Sequence, residues 1–201
     1  HHYTGMRTKE MLTLKWNQIS INPNDSKWDK GINRVIHIPA DYSKTGRSRD
    51  IVAPVAQQFQ RLIKWYRELG LEVDEKGDHY VFVRLTDTAH NENIPTSDVA
   101  WTKRLKKVLA GAEKDGVIDL GGRNISNYCA RHHHITEAIQ RGVDVYDVAL
   151  NCGTSLNYIE KTYSHITTLM RSKQLTKGLG RQATYDPLKD EDLVKPNKNL
   201  D

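Results

Sequence analysis

Between residues 35 and 69 the apolar pattern changes its period, and that change restricts the architecture more than any other feature of the chain. Val35-Ile36-His37-Ile38 is a β-branched run of the kind that pleated strands accept. Ser43-Lys44-Thr45-Gly46-Arg47-Ser48 reads as a turn, and Ile51-Val52 as the return strand. The three pieces predict an antiparallel hairpin with Lys44 in its turn. Then Phe59, Leu62, Ile63, Tyr66 and Leu69 fall at i, i+3, i+4, i+7 and i+10, which is one stripe of an α-helix. Gly70 is placed to end that helix.

Around this unit most of the chain reads as helix. Residues 6–16 suggest the end of a helix and the start of a strand, with Ile19 and Ile21 continuing an alternation. Asn22-Pro23-Asn24-Asp25 is a loop. Val81-Phe82-Val83 is a short apolar run whose type the pattern leaves open. Pro95-Thr96-Ser97-Asp98 opens a helix through about Leu109. Its apolar stripe is Trp101, Leu105, Val108 and Leu109, while Lys103, Lys106 and Lys107 share another face. That basic face is either a track for phosphates or a solvated surface. A further helix spans 124–141 and is closed by Gly142. A short one spans 145–150 before Gly153, and Ser155 can cap a last helix running toward Tyr163. The predicted class is α+β, mainly α, with a small antiparallel sheet near the N-terminus.

Composition bounds the function. The 201 residues suit one domain, predicted over 1–175, followed by a segment over 176–201 that loses periodicity and reads as a docking arm or a disordered tail. No apolar run approaches the ~18 residues of a membrane span. Cys129 and Cys152 cannot build a disulfide framework or a four-sulfur metal site. They read as small core residues and reduced thiols, which predicts a cytoplasmic setting without a signal peptide. The opening His1-His2-Tyr3, without Met, reads as an internal start within a longer protein. The net charge is +5, but the segment from Tyr185 carries −2, so residues 1–184 carry +7. A basic body suits a polyanion, through counterion release, and equally suits plain solubility.

Three segments carry candidate chemistry: Thr4-Gly5-Met6-Arg7-Thr8-Lys9-Glu10, the turn with Lys44, and the stretch from Tyr128-Cys129-Ala130-Arg131-His132 to Tyr163. Singly, each residue has a plain structural reading as a surface ion pair, a solvated lysine or a packed aromatic. In order and spacing the set resembles the catalytic domain of tyrosine recombinases, the phage-integrase family. Thr4, Gly5, Arg7, Glu10, Leu14 and Trp16 follow that family's first pattern, and Lys44 its hairpin lysine. Arg131 and His132 follow the end of H-x-x-R-H, Gly142 the glycine after it, and Gly153 and Ser155 the G-H-S or G-W-S element. Tyr163 stands nine residues after position 154, at the family's tyrosine. Two positions depart: Tyr128 replaces the first His, and Thr154 replaces the His or Trp. Both keep a hydroxyl for hydrogen bonding, and neither is a base near neutral pH.

The resemblance implies a site-specific DNA recombinase or integrase of phage or mobile-element origin, acting in the nucleoid. Its reaction needs neither metal nor other cofactor: Tyr163 attacks a phosphodiester and leaves a 3′-phosphotyrosyl bond and a 5′-hydroxyl. Arg7 and Arg131 are the implied clamp on the non-bridging oxygens, since guanidinium groups bind them in a fork and stay charged. Lys44 is the implied acid for the departing oxygen, Tyr128 and Thr154 the implied phosphate donors, and Glu10 and His132 the implied supports. His132, His133 and His134 do not read as a metal site, because consecutive helical residues diverge by about 100°. His133, His134 or His165 offer stand-ins for the missing base. The implied partners are double-stranded DNA and further copies of the protein, as a tetramer on DNA, with room for accessory DNA-bending proteins. The competing readings are a homologue that binds DNA with weakened or lost cleavage, and a type IB topoisomerase-like enzyme.

Overall fold

Alternating burial in the first third of the chain produces a three-stranded antiparallel sheet. The computed structural model describes residues 2–27, 31–85 and 93–170, with side chains in the last helix through residue 164. Strands β1 (Ile19–Ile21), β2 (Arg34–Ile38) and β3 (Arg49–Ala53) lie in the order β1-β2-β3. Ile36 sits opposite both Ile19 and Ile51. The period of two sends Ile36, Ile38, Ile51 and Ala53 into the core. It sends His37 and Asp50 outward, where they pair across the strands at 2.8 Å. The predicted hairpin is therefore β2 and β3, and Lys44 lies exposed in its connection.

Before the sheet comes α1 (Thr8–Leu12), and after it α2 (Ala56–Glu68). The stripe on α2 buries Ile63 and Tyr66 against the sheet. Gly70 adopts φ +76°, and the Leu71 amide returns to the Tyr66 carbonyl at 2.9 Å, closing the helix as its glycine predicts. The Tyr66 hydroxyl donates to the Val81 carbonyl at 2.8 Å and fixes the segment whose type the sequence left open. That segment is a bend, bridged from Val83 to Pro95.

Four of the remaining boundaries differ from expectation. Residues 6–16 hold a five-residue helix, not the end of a longer one, and a 3-10 turn at Trp16–Gln18 precedes β1. Helix α3 (Asp98–Lys114) is capped by Ser97, whose Oγ accepts from the Ala100 amide at 3.2 Å, and it runs past Leu109. Its stripe is narrower than predicted. Val108 is 68% exposed, because α3 meets the body through Trp101, which stands edge-on to Phe82. Helix α4 (Asn127–Gln140) starts three residues later than expected, after Ser126. There the Cys129 sulfur accepts from the Ser126 amide at 3.4 Å, so Cys129 closes a helix end and is only half-buried, not a core residue. Helix α5 (Val145–Cys152) extends through Cys152, which is fully buried as predicted.

Helix α6 (Leu156–Met170) follows, with Ser155 accepting from the Tyr158 amide at 3.1 Å as the predicted cap. A second core forms from α4, α5 and α6 around Ile135, Ile139, Val148, Cys152 and Ile159. No helix among the described residues is long and apolar enough to cross a membrane. The segment over 176–201 lies outside the described residues.

The two cores meet along a polar seam. Asn151 on α5 accepts from the Val52 amide of edge strand β3 at 3.1 Å, and its carbonyl accepts from Arg49 Nε at 3.4 Å. The sheet core depends on close packing at its centre. Ile36→Ala, at a fully buried position, should lower unfolding free energy by about 2–5 kcal/mol in urea titrations.

Candidate active site

The C-terminal end of α5 leaves carbonyl oxygens without helical partners, and two arginines from distant parts of the chain take them. Arg131 Nη1 donates to the Cys152 carbonyl at 2.8 Å and to the Gly5 carbonyl at 2.5 Å. Arg7 Nη2 donates to the next carbonyl, that of Gly153. Cations at this end also oppose the negative pole of the helix. The two glycines permit the approach. Gly153 is left-handed at φ +63°, and a Cβ there would lie 2.5 Å from the Arg49 guanidinium carbon. Gly5 has φ +60°, and a Cβ there would lie 2.6 Å from the Cys152 sulfur.

Arg131 is 1% exposed, and its Nε has no hydrogen-bond partner among the described residues. A buried guanidinium donor left unpaired costs free energy, which an anion at that nitrogen would recover. Arg7 precedes α1, where Glu10 reaches back to the Arg7 amide and to Nη1, both at 2.8 Å. Glu10 also takes both terminal nitrogens of Arg49, at 3.0 and 2.7 Å. Burial alone would push the Glu10 carboxyl up, but the bonds from Arg49 and Arg7 together outweigh it and hold the carboxyl below its ordinary value.

Arg49 was not among the sequence candidates. A signal for it exists, since Arg49 shares the inward face of β3 with Ile51 and Ala53. An arginine at an inward strand position needs a buried carboxylate, and Glu10 is that partner.

Tyr163 lies on α6 one turn after Ile159, and the two are buried together against α4. Its hydroxyl meets His132 Nδ1 at 2.6 Å. His132 follows Arg131 directly on α4 and stands edge-on to Tyr128. The Arg131 guanidinium carbon lies 6.0 Å from the Tyr128 ring. Burial pushes the Tyr163 phenol well above its ordinary value, Tyr158 nearby adds to this, and the Arg131 charge opposes it.

The structure thus gathers Arg7, Glu10, Arg131, His132, Tyr163 and Tyr128 around the ends of α4 and α5. Thr154 follows the carbonyl held by Arg7, and its amide closes α5 onto the Ala149 carbonyl at 2.9 Å. Lys44 lies in the connection between β2 and β3. It is exposed in the hairpin turn and makes no hydrogen bond or ion pair among the described residues. The stand-ins for the missing base are also elsewhere: His133 stacks on the ring of His2, and His134 meets the His2 carbonyl at 2.8 Å. The His165 side chain lies outside the described residues.

The phage integrase family model matches residues 2–169, and the chain belongs to that family. Among curated proteins no significant match is found. Among solved structures, the chain is similar to the XerH site-specific recombinase bound to palindromic difH substrate in a post-cleavage complex, with 20% identity, a TM-score of 0.59, and coverage of 88% of this chain and 43% of that one. It is similar to the XerA recombinase, with 17% identity, a TM-score of 0.54, and coverage of 90% and 56%. It is also similar to the Tn1549 transposon integrase in complex with circular intermediate DNA, with 15% identity, a TM-score of 0.56, and coverage of 86% and 53%. The chain spans about half the length of these structures. They confirm the expected fold, a mainly helical domain with a small antiparallel sheet.

The Glu10 network has a measurable signature. Its carboxyl is lowered in the folded state, so its contribution is complete above the ordinary value of 4.5 and fades as pH falls through the folded value. Glu10→Gln should therefore cost about 3 kcal/mol near neutral pH, by leaving two half-buried guanidinium groups without their anion. It should also flatten the loss of stability below about pH 4.5, as read by urea unfolding across pH.

Proposed function

We propose that this chain is the catalytic domain, over residues 1–175, of a site-specific DNA recombinase that cuts and rejoins strands through Tyr163. The observation that carries the reading is the convergence of Arg7 and Arg131 on successive carbonyls of residues 153 and 152, with Tyr163 bonded to the residue after Arg131. Two guanidinium groups held at one helix end form a site for a single tetrahedral anion. The excess of positive charge in residues 1–184 supports a DNA duplex as its source. The XerH and Tn1549 structures, complexes with a DNA substrate and with circular intermediate DNA, support the same partner.

In this reading the Tyr163 oxygen attacks phosphorus in line with the 5′-oxygen. The new O–P bond makes a 3′-phosphotyrosyl linkage, and the P–O5′ bond breaks. Negative charge grows on the two non-bridging oxygens, where Arg7 and Arg131 meet it. A preorganised donor of this kind lowers the barrier by about 3 kcal/mol. Glu10 and Arg49 hold the Arg7 fork in orientation without touching the phosphate. Lys44 gives the proton to the 5′-oxygen, reaching the phosphate by movement of its exposed turn. Tyr128 faces the Arg131 side and donates a hydroxyl hydrogen bond where the family has His, and Thr154 supplies a shorter donor. Religation is the same step reversed with a new 5′-hydroxyl, so the linkage energy is kept. Strand exchange between two duplexes calls for several copies of the chain, as a tetramer, and the segment over 176–201 is suited to bridge neighbours. The setting is the DNA of a cell's nucleoid.

A nicked duplex that loses its short 5′-fragment after cleavage traps the covalent complex, which a denaturing gel separates. The full chain, offered a pool of such duplexes with randomised sequence around the nick, should form a stable adduct. Tyr163→Phe should form none while retaining DNA affinity in gel shifts. Arg131→Ala should slow trapping by roughly a hundredfold to a thousandfold. Affinity without any adduct from the unaltered chain would favour the reading of a binding homologue, which Tyr128 and Thr154 motivate.

A further inference from the structure

Attack by Tyr163 requires its phenol to lose a proton, and position 128, where the family carries His, and position 154, where it carries His or Trp, hold hydroxyl side chains here. Burial makes the requirement harder to meet, since it disfavours a phenolate. Water is a poor acceptor for this proton, because Tyr163 is only 3% exposed. A protein group that already touches the oxygen is the acceptor nearest to hand.

Among the described side chains, one histidine touches it. His132 Nδ1 lies 2.6 Å from the Tyr163 oxygen, the length of a strong hydrogen bond. The rings stand 5.9 Å apart and tilted, on neighbouring helices that share one core. The partners of His133 and His134 belong to the N-terminal segment instead. Building on the cleavage reading above, we propose that His132 is a catalytic base in this chain, taking the phenolic proton of Tyr163 at Nδ1 as the O–P bond forms.

The proton ledger closes without another reactant. Neutral His132 holds its own proton on Nε2 and presents the Nδ1 lone pair to the phenol. The phenolic proton moves to Nδ1 and gives imidazolium, while the electron pair of the O–H bond becomes the new O–P bond. The departing 5′-oxygen carries away the P–O pair and takes its proton from Lys44. On religation, the attacking 5′-hydroxyl gives its proton to the neutral Lys44 amine, and the imidazolium returns its proton to the leaving phenol.

The titratable and charged groups around the pair explain why the base sits here. Tyr128 is edge-on to the imidazole from its own helix, and Tyr158, which interacts with Tyr128, approaches from α6. Burial pushes the Tyr158 phenol above its ordinary value. Arg131, the preceding residue, remains cationic and favours the phenolate over the phenol. Among the described residues, His132 is the imidazole in hydrogen-bond contact with the phenol.

The test measures single-turnover adduct formation by the full chain on the nicked randomised pool, across pH. The unaltered chain should show a rate that rises with pH until the base is fully deprotonated. His132→Ala should fall by roughly a hundredfold to ten-thousandfold, lose that rise, and regain part of its rate on addition of imidazole. His132→Asn keeps a hydrogen-bonding group beside the phenol but accepts no proton, so it should be as slow as the alanine variant. A near-normal rate for His132→Asn would make His132 a positioning residue and overturn the proposal. A faster rate for His132→Ala would overturn it also, making the contact a latch on Tyr163. An unaltered chain that forms no adduct, or a Tyr163→Phe variant that still does, would instead overturn the cleavage reading and this proposal with it.

Discussion

Two consecutive carbonyl groups at the end of an eight-residue helix organise this molecule. The oxygens of Cys152 and Gly153 receive Arg131 and Arg7, which stand 124 residues apart in the chain. A helix end buried without partners is costly, so these contacts stabilise the join between the two cores. The same contacts set two guanidinium groups side by side. Packing and chemistry share the same atoms, and a change to one is a change to the other.

The arrangement also explains why the seam between the cores is polar. Apolar surfaces would slide with little change in energy, because their attraction is not directional. Arg49 between Glu10 and Asn151, and Asn151 capping the edge of β3, are directional and admit one register. Glu10 is the single anion in this network, bonded to two cations at once. It offsets their mutual repulsion while leaving a positive balance. That balance suits a site that receives an anion and does not carry one of its own.

The parts of the fold that depend on local periodicity were legible in the sequence. The hairpin, α2 with its Gly70 stop and the Ser155 cap follow from residues within a turn or two of each other. Boundaries failed where tertiary contact decides. Val108 looks apolar along α3, yet nothing among the described residues covers it, and Cys129 closes a helix end where a core position was expected. The candidate site was legible as a set of motif positions, but its wiring was not. Spacing cannot say that Arg49 would complete the Glu10 pair, nor that His132, out of three adjacent histidines, would be the one to meet Tyr163. Those facts depend on how α4, α5 and α6 are rotated about their axes. The exposure of Lys44 likewise belongs to tertiary structure, although the turn that holds it was evident.

The account rests on one phenol acting at one phosphate between two guanidinium groups. Peptide mass spectrometry on a trapped and nuclease-trimmed complex reads this directly, by locating the residue that carries the nucleotide. The account predicts a single modified peptide with the adduct on the oxygen of Tyr163. An adduct on Tyr128 or Tyr158, which lie close by, or on any other residue, would contradict it.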